Sequence, residues 1–190
     1  MDKINEILKK GGIIAYVTDT VWGVGCLPNL PDAVDKIYEL KGRDRSKPLI
    51  LMSNSLENLL PYVDNMSKTA QELARKHFPG ALTLVVNKSE KTPSFITSGM
   101  NTVGIRVPNN NVFKKICENT DGAVLATTSA NLSGLPSAKN YLEAKNFVGA
   151  FVDYVVPDER DRAQGLESTV VLALDDNIKV LRQGAVEIKS

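Results

Sequence analysis

Short apolar runs alternate along most of the chain with stretches in which apolar residues recur at helical spacing. The apolar runs predict strands at 13–17, 48–52, 82–86, 103–107, 123–126, 152–156, 169–174 and 178–182. The helical spacing predicts helices at 2–10, 31–40, 55–62, 67–77, 110–119 and 138–147. This alternation predicts an α/β fold with an open sheet, and the closer spacing of the last strands indicates that the sheet is mixed.

Small polar residues and glycines follow apolar strands at 18–25, 127–134 and 164–169. Ligands bind outside the carboxyl ends of the strands in open α/β sheets, and glycines let a ligand approach the backbone closely. These three loops are therefore the predicted binding site. Asp19, in the first loop, is expected to stabilise its own turn by a hydrogen bond from its side chain to a nearby backbone group, rather than to act as a base.

A basic segment follows the helix at 31–40, which is predicted to end at Gly42. Four cations stand within seven residues, namely Lys41, Arg43, Arg45 and Lys47. Arginine offers phosphate a planar fork and lysine a point charge, so the segment is a candidate grip for a triphosphate. A solvated basic loop is the alternative that the segment by itself leaves open.

Arg106 stands inside an apolar run, Val103–Pro108. Arginine is almost never fully buried without a partner, so a buried anion is predicted beside it. That anion is either an Asp or Glu of the protein or the carboxylate or phosphate of a substrate, held by two parallel hydrogen bonds.

The length of 190 residues suits one domain, which we assign to residues 1–190. The net charge of +1 excludes a histone-like nucleic-acid binder but not a local basic patch. Cys26 and Cys117 lie far apart, which argues against a disulfide framework and a structural zinc site and favours free thiols in the cytoplasm. Neither a signal peptide nor a membrane span is expected.

The single histidine, His77, is predicted at the end of a helix and is not expected to act as a base. A histidine-rich metal site is excluded, and any metal is expected to be Mg²⁺ that arrives with a nucleotide. The chain contains neither a Walker A motif nor a GxGxxG motif after a strand. Cations and hydroxyls without a conventional nucleophile and base suit phosphoryl or nucleotidyl transfer, in which the protein positions the reactants and offsets phosphate charge.

Seven motifs occur in an order and spacing that resembles the YrdC/Sua5 family of threonylcarbamoyl-AMP synthases, from about residue 10 to residue 186. They are Thr18–Gly25, Lys41-Gly42-Arg43 with Lys47-Pro48-Leu49, Pro79–Thr83, Gly104–Pro108, Ser129–Gly134, Glu167–Val171 and Leu181–Gly184. The resemblance implies a twisted, open mixed sheet with flanking helices around a basic cavity. It also implies that L-threonine, bicarbonate and ATP give threonylcarbamoyl-AMP and pyrophosphate, and that partner transferase proteins pass the group to tRNA as N6-threonylcarbamoyladenosine.

The resemblance also assigns site residues by position. The implied ATP contacts are Lys41, Arg43, Lys47, Thr102, Ser129, Asn131, Ser137 and Arg182. The implied threonine contacts are Thr20, Arg106, Thr127 and Ser168. Arg45 is left as the cation expected to be merely solvated. Met52 stands where longer members carry a histidine that contacts threonine, and Pro157–Gln164 is expected to form a lid of a different kind from the usual Gly-rich turn.

Two other functions remain open. A module that binds tRNA or double-stranded RNA without catalysis would need cations spread over a wide surface. Carbamoyl-adenylate formation from carbamoyl phosphate, as in the related domain of hydrogenase-maturation proteins, accompanies acylphosphatase and zinc-finger regions. The chain has neither the length nor the cysteines for those regions.

Overall fold

The structure is a computed structural model that describes residues 2–188. Within these residues the α-helices are α1 (Asp2–Lys9), α2 (Pro31–Lys41), α3 (Leu56–Leu59), α4 (Lys68–His77), α5 (Asn111–Glu118) and α6 (Tyr141–Val148). His77 ends α4, as predicted. None of these helices is long and apolar enough to cross a membrane.

The strands of the described residues form one sheet. They are β1 (Ile14–Tyr16), β2 (Gly23–Cys26), β3 (Ile50–Ser53), β4 (Leu82–Asn87), β5 (Thr102–Arg106), β6 (Val124–Ser129), β7 (Tyr154–Val155), β8 (Thr169–Leu172) and β9 (Lys179–Arg182). Their order across the sheet is β7-β1-β2-β6-β3-β5-β4-β8-β9. The pairs β1–β7, β3–β5 and β4–β8 are parallel and the other neighbours are antiparallel. The prediction of a mixed sheet with flanking helices is confirmed.

Strand β2 lies where the sequence pattern predicts only a loop, so the predicted loop at 18–25 is too long. Glycine is depleted in strands, and two of the four residues of β2 are glycines. Gly25 is needed because the Tyr16 side chain crosses it: a Cβ on Gly25 would lie 2.6 Å from Tyr16 Oη. Strand β6 also runs three residues farther than predicted, because Thr127 and Ser129 pair with residues of β2.

Helix α2 delivers the basic segment to the sheet. Pro31 occupies its first turn, where the missing N–H costs nothing. Gly42 ends the helix with φ 54°, a left-handed conformation that glycine adopts without strain. The chain therefore turns sharply after Lys41 and runs back into β3.

Candidate active site

A cavity of about 180 Å³ lies against the middle of the sheet. The loop between β1 and β2, the segment after α2, and strands β3, β4, β5, β6, β8 and β9 all contribute to its lining. Ile50 and Met52 both line it, because alternate residues of a strand share one face of a sheet. A larger cavity of about 890 Å³ is lined by residues of α3 and α4, and none of the predicted site residues lines that one.

Arg106 lies at the end of β5, is 2% exposed and lines the cavity. Its Nε donates to the Gly80 carbonyl oxygen at 3.1 Å, and its Nη1 donates to Thr20 Oγ1 at 2.9 Å. Its Nη2 donates to the Asp19 carboxylate. Burial lowers the pKa of Arg106, while the charge of Asp19 raises it. These bonds use three of the five N–H groups of the guanidinium, so that two donors are left for a ligand.

The buried anion predicted beside Arg106 is Asp19, the first of the two alternatives. The predicted turn-stabilising role of Asp19 is therefore wrong, because its carboxylate is engaged with a residue far along the chain. Thr18 stabilises the turn instead. Its Oγ1 accepts from the Thr20 amide at 3.2 Å and donates to the Val21 carbonyl oxygen at 2.6 Å.

Thr127, a predicted threonine contact, lines the cavity from β6. Burial raises the pKa of Tyr16, so that the phenol stays protonated and donates to Thr127 Oγ1 at 2.5 Å. Thr127 Oγ1 in turn donates to the Val24 carbonyl oxygen at 3.0 Å. Because its only hydroxyl proton is engaged, Thr127 can meet a ligand through a lone pair or through its methyl group.

Ser168 connects the two predicted substrate sites. Its hydroxyl lies 2.9 Å from Thr83 Oγ1 and accepts from Arg182 Nη2 at 3.2 Å. Arg182 also donates from Nε and Nη2 to the Ser168 carbonyl oxygen, at 3.1 and 2.9 Å. Ser168, a predicted threonine contact, therefore holds Arg182, a predicted ATP contact, in position. Thr83 was not among the predicted contacts, although it ends the motif Pro79–Thr83.

Of the four cations in the basic segment, Arg43 alone lines the cavity. Its Nε and Nη2 donate to the carbonyl oxygens of Lys47 and Pro48, at 3.1 and 3.0 Å. Arg45 is exposed, pairs with Asp35 and lies 4.9 Å from the centre of the Tyr38 ring. Arg45 therefore lies outside the cavity lining, but it is ion-paired rather than merely solvated as expected.

Lys41 is 2% exposed and does not line the cavity. Its Nζ donates to the Ser129 carbonyl oxygen at 2.5 Å, and to the carbonyl oxygen and Oδ1 of Asn131, both at 2.7 Å. The side-chain nitrogen of Asn131, Nδ2, donates in turn to the carbonyl oxygens of Leu132 and Leu135. Lys41 and Asn131 thus hold the loop after β6 in place. Burial, followed by the charge of Arg43, lowers the pKa of Lys41 to about 7.

The lowered pKa of Lys41 predicts a pH dependence of stability. Below pH 7 the lysine is charged in both states, whereas between about pH 7 and 10.5 only the unfolded chain carries the proton. Stability rises with pH wherever the unfolded state binds more protons. The free energy of unfolding of the wild type, relative to Lys41→Met, should therefore grow by roughly 2–4 kcal/mol across this range. Urea unfolding at a series of pH values measures it. The exposed Lys47→Met is the control, and a flat difference would contradict the prediction.

The cavity brings together seven of the predicted contacts: Arg43, Ser129, Arg182, Thr20, Arg106, Thr127 and Ser168. Ser137 lines an adjoining cavity of about 320 Å³, which shares Val21, Glu167 and Arg182 with the first. Lys47 is exposed and Thr102 lies at the start of β5 paired with Asn87, and neither lines these cavities. Glu167 lines both cavities but was not predicted as a contact.

The segment Pro157–Gln164 is attached to the backbone of the first loop and to the start of α5. The Gln164 amide donates to the Asp19 carbonyl oxygen at 3.1 Å, and Asp161 Oδ2 accepts from the amides of Asn111 and Val112 at the start of α5. None of its residues lines the cavity. The expected lid therefore stays a prediction, and in this structure the segment packs beside the site.

A family model described as telomere recombination, Sua5_yciO_yrdC, matches residues 6–184. The chain belongs to the Sua5/YciO/YrdC family. The threonylcarbamoyl-AMP synthase of Vibrio parahaemolyticus is 35% identical over 189 residues, which cover 97% of this chain and 100% of that protein. The resemblance inferred from the ordered motifs is thereby confirmed.

Solved structures of the Sua5/YciO/YrdC family share the fold. Sua5 of Pyrococcus abyssi, solved in complex with L-threonine, superimposes with a TM-score of 0.90 at 32% identity, over 96% of this chain and 53% of that one. YciO of E. coli superimposes with a TM-score of 0.89 at 25% identity, over 99% of this chain and 90% of that one. The family fold thus extends over nearly the whole of the chain.

Proposed function

We propose that the protein is an L-threonylcarbamoyladenylate synthase, which converts L-threonine, bicarbonate and ATP into threonylcarbamoyl-AMP and pyrophosphate. The observation that carries the proposal is the single cavity in which Arg106, with two N–H groups to spare, lies beside Arg182 and Arg43. Similarity to the Vibrio parahaemolyticus synthase over 97% of this chain and 100% of that protein supports it. The product would serve the modification of tRNA, through transferase proteins that accept the threonylcarbamoyl group.

The carboxylate of threonine is assigned to Arg106. A carboxylate prefers two parallel N–H donors from one guanidinium, and the remaining donors of Arg106 can supply them. Asp19 does not compete for these donors, because it already holds a different N–H of Nη2 and keeps the guanidinium in one orientation. Thr20 and Ser168 add hydroxyl oxygens to the lining of the same cavity. Met52 offers only an apolar wall where longer members carry a histidine.

The phosphates of ATP are assigned to Arg43 and Arg182, with hydroxyl contacts from Ser129 and Ser137. Lys41 and Asn131 contribute indirectly by holding the Ser129 loop. Lys47 and Thr102 remain predicted contacts; they line neither cavity, so they could reach ATP only if a loop moved or the nucleotide extended beyond the cavities. Mg²⁺ would enter with the nucleotide, since it keeps most of its ligands as phosphate oxygens and water. The lining offers it hydroxyl oxygens, whereas the one lining carboxylate, Glu167, is engaged by Ser137 and Arg182.

The chemistry is one of positioning. The threonine amine and bicarbonate form a carbamate with loss of water, and a carbamate oxygen then attacks the α-phosphorus of ATP while pyrophosphate leaves. Arg182, held by Ser168, would offset the negative charge that develops on the phosphates close to the threonine site. No side chain is assigned as general base, because the carboxylate of Asp19 is paired with Arg106 and that of Glu167 is paired with Arg182.

An RNA-binding module without catalysis fits the structure less well. Such a module needs cations distributed over a broad surface. Here Lys41 is buried, Arg43 lines a small cavity, and Arg45 is paired with Asp35. Of the four cations, this leaves the exposed Lys47 as the one available to an RNA backbone.

The proposed reaction is tested by pyrophosphate release. The pure protein is incubated with ATP, Mg²⁺, bicarbonate and labelled threonine, and each component is omitted in turn. We expect release to require both threonine and bicarbonate, with the label in an adenylate. Release that is independent of either would contradict the proposal. Salt-sensitive binding of tRNA without any binding of ATP, measured by calorimetry, would favour the RNA module instead.

A further inference from the structure

Glu167 bridges two groups that the proposed function assigns to ATP. Its Oε1 accepts from Ser137 Oγ at 2.8 Å, and its Oε2 accepts from Arg182 Nη1 at 2.6 Å. Glu167 is the acidic residue among those that line the cavity, where Arg43, Arg106 and Arg182 supply the positive charge. Two oxygens of one anionic group thus meet one hydroxyl and one guanidinium, as two oxygens of a phosphate would.

The backbone around Glu167 is held firmly. Its carbonyl oxygen accepts from the Ala185 amide at 2.9 Å. Gly184 packs so closely that a Cβ there would lie 2.2 Å from the same oxygen. The Glu167 side chain is partly accessible, with 37% of it exposed. The side chain is therefore free to change rotamer while the loop stays in place.

Arg182 does not depend on Glu167 for its position. Its Nε and Nη2 are anchored on the carbonyl oxygen of Ser168. If the glutamate leaves, Nη1 alone loses its partner, and the guanidinium still faces the cavity it lines. An incoming phosphate would find both Arg182 Nη1 and the Ser137 hydroxyl already in place.

We propose that Glu167 is an internal competitor for the polyphosphate site: its carboxylate occupies Ser137 and Arg182 in the empty enzyme, is displaced by the phosphates of ATP, and returns to help expel pyrophosphate. The inference rests on the proposed function, which places ATP at these residues. In this role Glu167 opposes phosphate binding and favours the release of pyrophosphate. A carboxylate that held Mg²⁺ or oriented the nucleotide would favour binding, so the two roles predict opposite effects of removing its charge.

The test is the affinity of pyrophosphate for Glu167→Gln. This substitution removes the charge and keeps a side-chain oxygen for Ser137. Calorimetry uses pyrophosphate alone, without and with Mg²⁺, so that neither threonine nor catalysis is needed. A partly exposed ion pair contributes enough to change a binding constant by about fivefold. We therefore expect the dissociation constant to fall by about fivefold in both conditions, and inhibition of the synthase by pyrophosphate to strengthen in parallel.

Glu39→Gln is the matched control, because it removes an exposed carboxylate from α2 outside both cavities and should leave the affinity unchanged. Unchanged or weaker binding of pyrophosphate to Glu167→Gln would overturn the inference, and weaker binding only with Mg²⁺ would make Glu167 a metal ligand instead. A thermal melt equal to that of the wild type shows that the variant is folded, and Glu167→Ala provides a second variant. Tighter binding without threonine-dependent release of pyrophosphate would leave the inference standing and remove the proposed function.

Discussion

Replacement of Asp19 with alanine is expected to lower the free energy of unfolding by about 3–5 kcal/mol. The side chains of Arg106 and Asp19 are only 2% and 9% exposed. Removing the carboxylate leaves a guanidinium that is still charged, still buried and short of its anionic partner, which is the costly way to break an ion pair. Urea unfolding of the wild type and the variant measures the change.

The control for Asp19→Ala is Asp35→Ala. It breaks the ion pair between Asp35 and Arg45, whose side chains are 48% and 59% exposed, and pairs of this kind contribute about 1 kcal/mol or less. A loss of stability in Asp19→Ala no greater than in Asp35→Ala would contradict the assignment of a buried pair. Restoration of stability in a double variant that also carries Arg106→Met would support it, because no charge would then be left unpaired.

Substitution of Arg106 by lysine is expected to weaken the binding of L-threonine at least about a hundredfold, while the binding of ATP changes little. A lysine keeps a positive charge near Asp19 but offers a point charge in place of a planar fork. The two parallel hydrogen bonds to the threonine carboxylate are lost, and each bond to a charged group contributes roughly 1.5–3 kcal/mol. Calorimetry with L-threonine, and separately with a non-hydrolysable ATP analogue, measures both affinities.

The companion variant is Arg43→Ala, which should show the opposite pattern. Arg43 lines the cavity through the segment after α2, on the side assigned to the phosphates. We expect it to weaken binding of the ATP analogue and to leave threonine binding nearly intact. Equal effects of the two substitutions on both ligands would contradict the division of the cavity into a threonine site and a nucleotide site.

The helices and most strands were predictable because their signals are local. The apolar faces of α4 and α5 recur at helical spacing, and Gly42 marks the end of α2 by a conformation that other residues avoid. Strand β2 lacked such a signal, since its glycines are disfavoured in strands and are required by the Tyr16 side chain that crosses them. A contact between neighbouring strands thus outweighed the local preference.

The burial of Arg106 was likewise predictable, because its sequence neighbours are apolar. Its partner was not, since Asp19 lies 87 residues away in the chain and is indistinguishable in sequence from a turn residue. The same holds for Lys41, which looks like one of four similar cations. The fold buries it against oxygens of Ser129 and Asn131, about ninety residues further on.

The basic segment, the hydroxyl loops and Arg106 were all visible in the amino-acid sequence, and with them the family and the class of chemistry. Residue type is a local property, and seven motifs in order are informative even when their positions in space are unknown. The tertiary structure alone decided which cation of the basic segment lines the cavity, which anion pairs with Arg106, and that Glu167 pairs with Arg182. These outcomes depend on burial and on distances between strands that are remote in sequence, and such quantities exist only once the sheet has formed.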